Sequence, residues 1–290
     1  MPQADSCQRF MFTECDIRGE LVNLTESYRN LMANNVYPPA VQELLGQFLA
    51  ASVLLSTTIK FAGRLVLQAR SEGEVPLIMA ECTSDQHVRG IARYDDVPAG
   101  SCFRTLLQKG VLAITIEPEE GESYQGIVPL EQDSLAACLE DYFLRSEQLA
   151  SRFYLAADPH CCAGLMIQQL PPQLEKDAGS RLESWNMVGH LAATVSETEL
   201  LELDNEVLLY RLFHQQQVKL FTPRPVEHRC SCSRERTARA LFTLGESEVM
   251  DIIAERGCLE INCEFCGRQY RFEADEMKLL FEDHDGQSIH

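Results

Sequence analysis

The stretch "RCSCSRERT", Arg229 to Thr237, decides how the C-terminal part of the chain folds. It places two cysteines one residue apart, and a Cys-x-x-Cys pair follows after a spacer of 30 residues, in "CEFCG". Four thiolates in two close pairs suit a tetrahedral zinc site, with Zn–S bonds of about 2.3 Å. The sequence therefore predicts one zinc ion per chain, with unligated thiols as the alternative. The predicted ligands are Cys230, Cys232, Cys263 and Cys266.

The residues around these cysteines predict a small module. "ERTARALFTLGESEVMDIIAERG" indicates two short helices, the second capped by Ser247 and ended by Gly257. A strand, a tight Cys-containing turn that Gly267 permits, a second strand and a helix started by Asp275 are expected to follow. So few residues bury little apolar area, and a module of this size usually needs a metal or disulfides to stay folded.

Arginines are concentrated around the first cysteine pair. Five arginines against two glutamates give a local net charge of +3, in a chain whose net charge is −19. Because a tetrathiolate zinc centre carries a charge of about −2, they would offset it. Without metal they would keep the thiols partly ionised and oxidisable. A basic face that only keeps the module in solution is the alternative. The arginines are Arg224, Arg229, Arg234, Arg236 and Arg239.

Other residues near the two pairs compete for the role of ligand. His228 lies two residues before Cys230, and Cys258 lies five before Cys263. An isolated cysteine is usually a small hydrophobic residue, and Cys258 is interpreted that way. The remaining cysteines lack partners at ligand spacing and are interpreted as core or surface thiols: Cys7, Cys15, Cys82, Cys102, Cys138, Cys161 and Cys162.

Composition narrows the class of protein. Hydrophobic residues at 45% and charged residues at 24% are ordinary for a globular chain, and the net charge of −19 argues against general binding to nucleic acid or anionic membrane. Gln42, Glu43 and Gln47 interrupt the most apolar stretch, 40–59, which favours a buried helix over a membrane span. The N-terminus does not resemble a secretory signal. The expected location is the reducing cytoplasm, where clustered cysteines bind metal or do redox work.

The sequence predicts an α+β fold in three parts. Residues 1–178 are expected to form a mixed sheet-and-helix domain, with a long buried helix over 37–56 and a hairpin over 110–130. A helix after 134 is expected to be capped by Asp133 or Ser134. Further strands are predicted at 63–70, 76–83, 88–94, 152–157 and 164–170.

The Pro-rich and Gly-containing stretch 170–180 indicates a boundary. Residues 179–222 are expected to form a metastable linker of two or three short acidic helices, with Ser196, Thr198 and Asp204 as candidate caps. Helices of this length are marginal alone and must lean on a neighbouring domain. Residues 223–290 would then form the C-terminal redox-switch zinc domain.

Over essentially its whole length the chain resembles the 33 kDa chaperonin family, also called heat shock protein thirty-three, a bacterial redox-regulated holdase. The C-terminal resemblance is carried by "CSCS" at 230–233, the spacer, and "CEFCGRQYRF" at 263–272. The N-terminal resemblance is carried by "RGELVNL" at 18–24, "YPPAVQELLGQFLAA" at 37–51, the segment 114–149, and "LLYRLFH" at 208–214. Cys258 is extra to the family's four-cysteine pattern and could divert oxidation into a wrong disulfide.

The resemblance implies a mechanism and partners. Reduced Cys230, Cys232, Cys263 and Cys266 would hold zinc and keep the chaperone inactive. Peroxide or hypochlorite would oxidise them, release the zinc and form Cys230–Cys232 and Cys263–Cys266 disulfides. The linker would then unfold and expose apolar surface to unfolding client proteins, without ATP. The resemblance also implies a homodimer when oxidised, transfer of clients to an ATP-dependent foldase, and no enzymatic activity.

Two other functions fit parts of the sequence. A zinc-ribbon regulator could contact nucleic acid through the arginines of 224–239, but the acidic whole chain and the lack of aromatic stacking residues among them count against it. A thiol–disulfide oxidoreductase could use Cys263 and Cys266, but this pair follows a strand near the C-terminus instead of opening a helix after an early strand.

Overall fold

The structure is a computed structural model that describes residues 4–33, 35–58, 62–242 and 244–287, with side chains as far as residue 281. The chain divides into two units, Met1–Arg229 and Cys230–His290. The first unit contains, in order, β1 (Ser6–Phe12), β2 (Ile17–Leu24), α1 (Glu26–Met32), α2 (Pro39–Ser56), β3 (Gly63–Arg70), β4 (Leu77–Thr83), β5 (His87–Arg93), α3 (Phe103–Leu106), β6 (Val111–Pro118), β7 (Tyr124–Pro129), α4 (Leu135–Arg145), β8 (Ser151–Ala157), β9 (Cys162–Gln169), α5 (Ala178–Ala192), α6 (Glu197–Glu202), α7 (Asn205–Phe213), β10 (Val218–Leu220), β11 (Arg224–Pro225) and β12 (Glu227–His228).

Two sheets organise this unit. The first has the order β10-β1-β2-β9-β8, with β11 also on β1, and its strands are antiparallel. The second has the order β12-β5-β4-β3-β6-β7, and only its β12–β5 pair is parallel among the described strands. The segment from β10 to β12 therefore runs from the first sheet to the second.

Helix α2 lies between the two sheets. It contacts β2, β8 and β9 of the first sheet and β3, β4 and β5 of the second. A helix covered on both sides has no face for polar residues, which explains why its sequence is apolar nearly all round. Its buried hydroxyls donate back to the helix itself, Ser52 to the Leu49 carbonyl oxygen and Ser56 to that of Val53, each at 2.8 Å.

Helices α5, α6 and α7 cover the other face of the first sheet. Phe10, Phe12, Ile17 and Leu21 point away from α2 and form a separate buried cluster with apolar side chains of these helices. The helix members of that cluster are Val188, Ala192, Leu200, Leu208, Leu209, Leu212 and Phe213.

Polar anchors also hold this helical segment on the sheet. Asp16, just before β2, accepts the backbone N–H groups of Gln173, Leu174 and Glu175 and pairs with Arg181 at 3.0 Å. Asn205, the first residue of α7, is buried among strand side chains. It donates to Gln8 Oε1 at 2.9 Å and accepts from Asn23 Nδ2 at 2.6 Å.

The second unit is a small α+β module. It contains α8 (Arg234–Phe242), α9 (Glu246–Arg256), β13 (Leu259–Asn262), β14 (Gln269–Phe272) and α10 (Ala274–Gln287). β13 and β14 form an antiparallel pair. The buried core is made by Ala238, Leu241, Val249, Ile253, Tyr270, Phe272, Met277 and Phe281.

The mixed α+β class is confirmed, as are the long buried helix, the β6–β7 hairpin and Ser134 as the cap of α4, where its hydroxyl accepts the Ala137 N–H. Ser196 caps α6 and Asp204 precedes α7, whereas Thr198 lies inside α6. The Ser247 cap is wrong because α9 begins one residue after Gly245. The final helix begins at Ala274, one residue earlier than predicted.

The division at 178 and 222 stays a prediction; the helices that it assigns to a linker lie inside the first unit. Strands β1, β2 and β10–β12 were not predicted from the sequence. No described helix is long and apolar enough to span a membrane.

Candidate metal centre

The second unit brings the four predicted ligands together. Cys230 and Cys232 lie just before α8, and Cys263 and Cys266 lie in the turn between β13 and β14. Their sulfurs all lie within 4.8 Å of one another. The Cys230 and Cys263 sulfurs are 3.7 Å apart, and those of Cys232 and Cys266 are 3.5 Å apart.

These distances fit a single metal ion. With Zn–S bonds of about 2.3 Å, the sulfurs of a regular tetrahedron stand about 3.8 Å apart. A disulfide needs an S–S distance of about 2.05 Å, so these sulfurs are in the reduced arrangement. Both measured separations are close to the tetrahedral value, so the four side chains could hold a zinc-sized ion with little movement.

The Cys-x-x-Cys turn has the backbone that this geometry requires. Gly267 has a φ of +67°, the left-handed region that glycine adopts without steric cost, so its predicted role is confirmed. Its N–H donates to the Cys263 carbonyl oxygen, and the Cys263 N–H donates to that of Arg268, both at 2.8 Å. Backbone N–H groups also point at sulfur, that of Arg268 at Cys266 and that of Cys232 at Cys230.

Tyr270 is a residue of the site that sequence reasoning missed. It lies on β14, and its hydroxyl donates to the Cys232 sulfur at 3.1 Å. Burial raises the pKa of Cys232, but the hydrogen bonds from Tyr270 and the neighbouring sulfurs outweigh it and lower this pKa to about 7. Burial raises the pKa of Cys266 to about 12. Four adjacent thiols thus resist full ionisation on their own, and a cation would favour the thiolates.

The arginines have mostly other partners. Arg234 pairs with Glu276 at 2.6 Å and stacks on the Phe272 ring, and Arg236 holds Ser231, between the first two cysteines, through its hydroxyl and carbonyl oxygens. Arg224 belongs to the first unit, where it donates to the Ser84 carbonyl oxygen. Arg268 is an arginine close to the sulfurs, since a hydrogen bond to Tyr270 and the charges of Tyr270, Cys232 and Cys266 all raise its pKa.

The other cysteines lie outside the cluster. Cys258 is half-buried, and it is not part of the metal-sized group that the described residues form. Burial raises the pKa of the Cys7, Cys82 and Cys162 thiols, which is typical of inert core cysteines. Cys102 is exposed. His228 lies in β12 of the first unit, where burial lowers its pKa.

Comparisons with known proteins identify the family to which this chain belongs. The family model described as "Hsp33 protein" matches residues 5–273. The chain belongs to the Hsp33 family. The 33 kDa chaperonin of Pseudomonas paraeruginosa is 48% identical, with 97% of this chain and 96% of the relative covered, and that of Azotobacter vinelandii is 49% identical over the same shares. The 33 kDa chaperonin of Thermotoga maritima, 21% identical, has a crystal structure with the same fold, with a TM-score of 0.82 over 97% of this chain and 99% of that one.

Membership of the Hsp33 family supports the interpretation of this protein as a redox-regulated chaperone. Such a chaperone binds unfolded client proteins and has a role in the stress response. The relatives are named as chaperonins and not as enzymes. The four-cysteine cluster is consistent with zinc binding and with disulfide formation in this family.

Proposed function

We propose that this protein is an ATP-independent holdase of the cytoplasm, inactive while its four thiolates hold zinc and activated when they are oxidised. The observation that carries the proposal is the four-sulfur cluster at tetrahedral spacing in a chain of the Hsp33 family. The proposed ligands are Cys230, Cys232, Cys263 and Cys266.

Bound zinc would supply a positive charge that keeps the four thiols ionised and cross-links the two halves of the module. Among the described residues of the module, eight side chains form the buried core, too few to expect stable folding without such a cross-link. Oxidation would remove the ligands and with them this source of folding free energy.

The oxidation would consume one peroxide for each disulfide. A thiolate attacks peroxide to give a sulfenic acid and hydroxide, and the second thiolate displaces the sulfenic oxygen, so two thiols and one H₂O₂ give one disulfide and two H₂O. We propose Cys230–Cys232 and Cys263–Cys266 as the products, on the family resemblance and on nearness along the chain. The two closest sulfur contacts cross between the pairs, so the spatial arrangement alone does not select this pairing.

The first unit offers a surface for clients. Release of α5, α6 and α7 would uncover the face of the first sheet that carries Phe10, Phe12, Ile17 and Leu21, together with the apolar faces of the helices. A contiguous apolar surface of this kind binds unfolded chains without ATP. Dimerisation of the oxidised form and transfer of clients to an ATP-dependent foldase complete the proposal, and both rest on the family resemblance.

The test is light scattering of a heat-unfolding client, with the full chain either zinc-reduced or treated with peroxide at mildly raised temperature. Only the oxidised sample should suppress aggregation. Disulfide mapping by mass spectrometry should find Cys230–Cys232 and Cys263–Cys266. The variant Cys258→Ser should behave as the unmodified chain, and Cys232→Ser, which lacks one ligand and one disulfide partner, should no longer switch between an inactive reduced form and an active oxidised form.

Two results would contradict the proposal. Equal protection by the reduced and oxidised samples would leave the cysteines as a structural metal site. Disulfides between the pairs, such as Cys230–Cys263, would staple the module instead of releasing it, and the proposed mechanism of activation would be wrong.

A further inference from the structure

The two sheets of the first unit enclose a cavity where the helix between them ends. Leu55 and Thr58, at the end of α2, line a cavity of about 450 Å³. β2 and β9 form one side of it and β3, β6 and β7 the other, while α4 and the chain that follows close a third side. This volume is in the range of cavities that bind small molecules.

Most of the wall is apolar. Leu65 and Ile114 of the second sheet are almost fully buried, and Ile116, Phe143 and Leu149 continue the same surface. A wall of aliphatic and aromatic carbon favours an aliphatic group in the cavity over water alone.

One cation interrupts this wall. Arg18 of β2 stands opposite Gln168 of β9 in the strand register, and its Nε and Nη2 atoms donate to Gln168 Oε1 at 3.2 and 2.7 Å. Gln168 is itself held, because its Nε2 donates to Ser151 Oγ at 2.9 Å. The guanidinium is therefore fixed in one position without a carboxylate partner.

Arg18 has donors to spare. A guanidinium carries five N–H groups, and among the residues that the structure describes Arg18 contacts one acceptor and no carboxylate within ion-pair distance. The neighbouring pair Arg9 and Glu20 is satisfied internally at 2.6 Å. Burial and the nearby charge of Arg9 lower the pKa of Arg18, and the Glu20 carboxylate, which already pairs with Arg9, only partly offsets them.

The other polar groups of the cavity indicate a ligand with a single charge. Glu147 also lines it, and its Oε1 accepts from the Tyr142 hydroxyl at 2.9 Å and from that of Tyr124 at 3.4 Å. Glu147 is exposed and already accepts from two tyrosines, so it offers no positive charge for a second anionic group. The geometry points to a binding site for an aliphatic monocarboxylate, with its carboxylate on Arg18 and its chain along Leu65, Ile114 and Phe143.

The probe for this site is decanoate, with decanol as the uncharged analogue, in isothermal titration calorimetry on the reduced, zinc-loaded full chain. The reduced form is used because the proposed client surface is then covered. We expect one saturable site per chain for decanoate and binding about tenfold weaker or more for decanol, since a charge-assisted hydrogen bond to the guanidinium would be lost.

Variants of the chain distinguish decanoate binding in this cavity from non-specific binding elsewhere on the protein. Arg18→Gln should weaken decanoate binding about tenfold, and Ile116→Phe should weaken it by narrowing the cavity. Arg145→Gln, at an exposed arginine of α4 that pairs with Asp141, should leave it unchanged. Circular dichroism checks each fold, and Arg18→Met, which also removes the charge, replaces Arg18→Gln if that variant does not fold.

Three results would overturn the assignment. One is no binding at decanoate concentrations below micelle formation. Another is equal affinity for decanoate and decanol, and the third is binding that Arg18→Gln and Ile116→Phe both leave intact. These outcomes do not depend on the chaperone proposal, because no oxidation or client is involved.

Discussion

Tyr270 extends the candidate metal centre beyond its four sulfurs. Its hydroxyl donates to the Cys232 sulfur, and it also interacts with Arg268, so a tyrosine and an arginine together stabilise negative charge at this corner of the site. Groups that hydrogen-bond to metal ligands orient them and tune their affinity for the metal. Tyr270 is thereby a positioning residue for Cys232.

Replacing Tyr270 by phenylalanine should weaken zinc binding. The ring, which is part of the module's core, is kept, while the hydrogen bond to Cys232 is lost. We expect affinity to fall about tenfold, the lower end for the loss of such a partner. Competition with a chromogenic chelator measures this, and Tyr210→Phe, at an exposed tyrosine of α7, is the control. Equal affinities for the Tyr270 variant and the unmodified chain would remove Tyr270 from the site.

The sequence predicts the four ligands but not Tyr270, for a physical reason. The short spacing within each cysteine pair is enough to predict metal ligands. A strand residue contacts a sulfur only if the strand register turns it to that side, and here the register pairs Tyr270 with Ile261 across β13 and β14. No short spacing in the sequence encodes that pairing.

At the scale of elements, the carboxylate of Asp16 holds the start of the helical segment that begins with α5. Asp16 accepts three backbone N–H groups and pairs with Arg181, and it is buried. Burial raises the pKa of Asp16. The three hydrogen bonds and the charge of Arg181 lower it by more than burial raises it, so the net shift is downward. A depressed pKa stabilises the fold above about pH 4 and the contribution disappears as the pH falls through the folded value.

Asp16→Asn should loosen the start of this helical segment at neutral pH. The amide keeps an acceptor oxygen but loses the charge, which should cost about 1–3 kcal/mol of local stability. Hydrogen exchange followed by mass spectrometry should become faster in 173–192 and stay slow in α2. Asp204→Asn is the control, since the Asp204 side chain makes no capping hydrogen bond. Unchanged protection of 173–192 would show that Asp16 does not anchor the segment.

Strands β1 and β2 show why part of the fold was not predicted. Gln8, Arg9 and Glu20 interrupt the apolar pattern that marks a buried strand. Their partners compensate for burial: Arg9 pairs with Glu20, and Gln8 accepts from Asn205, 197 residues away. Local periodicity predicts a strand when its neighbours are apolar, but it cannot anticipate a polar contact across most of the chain.

For the whole molecule, the two units differ in how they are stabilised. The first unit has a large core between and around its sheets, whereas the described part of the second has a core of eight buried side chains. The second unit's stability should therefore depend on metal, whereas the part of the first unit built on α2 and the two sheets should not.

Removal of zinc under reducing conditions should thus unfold one part of the protein. In differential scanning calorimetry, a chelator should abolish or lower the transition of Cys230–His290 and leave a high-temperature transition of the α2-centred unit. Restored zinc should restore the lost transition. A single transition that a chelator shifts as a whole would mean that both units depend on the metal.

The position of α2 has a consequence for how the protein is made. The strands that cover this helix include β3, β4, β5, β8 and β9, which are all synthesised after it. At about 5–20 residues per second, synthesis of the roughly 110 residues from its end to the end of β9 takes about 6–23 seconds. Until β8 and β9 are made, the nascent chain carries an apolar helix that its sheets cover only in part, so a protein proposed to bind other unfolded chains exposes the same kind of surface during its own synthesis.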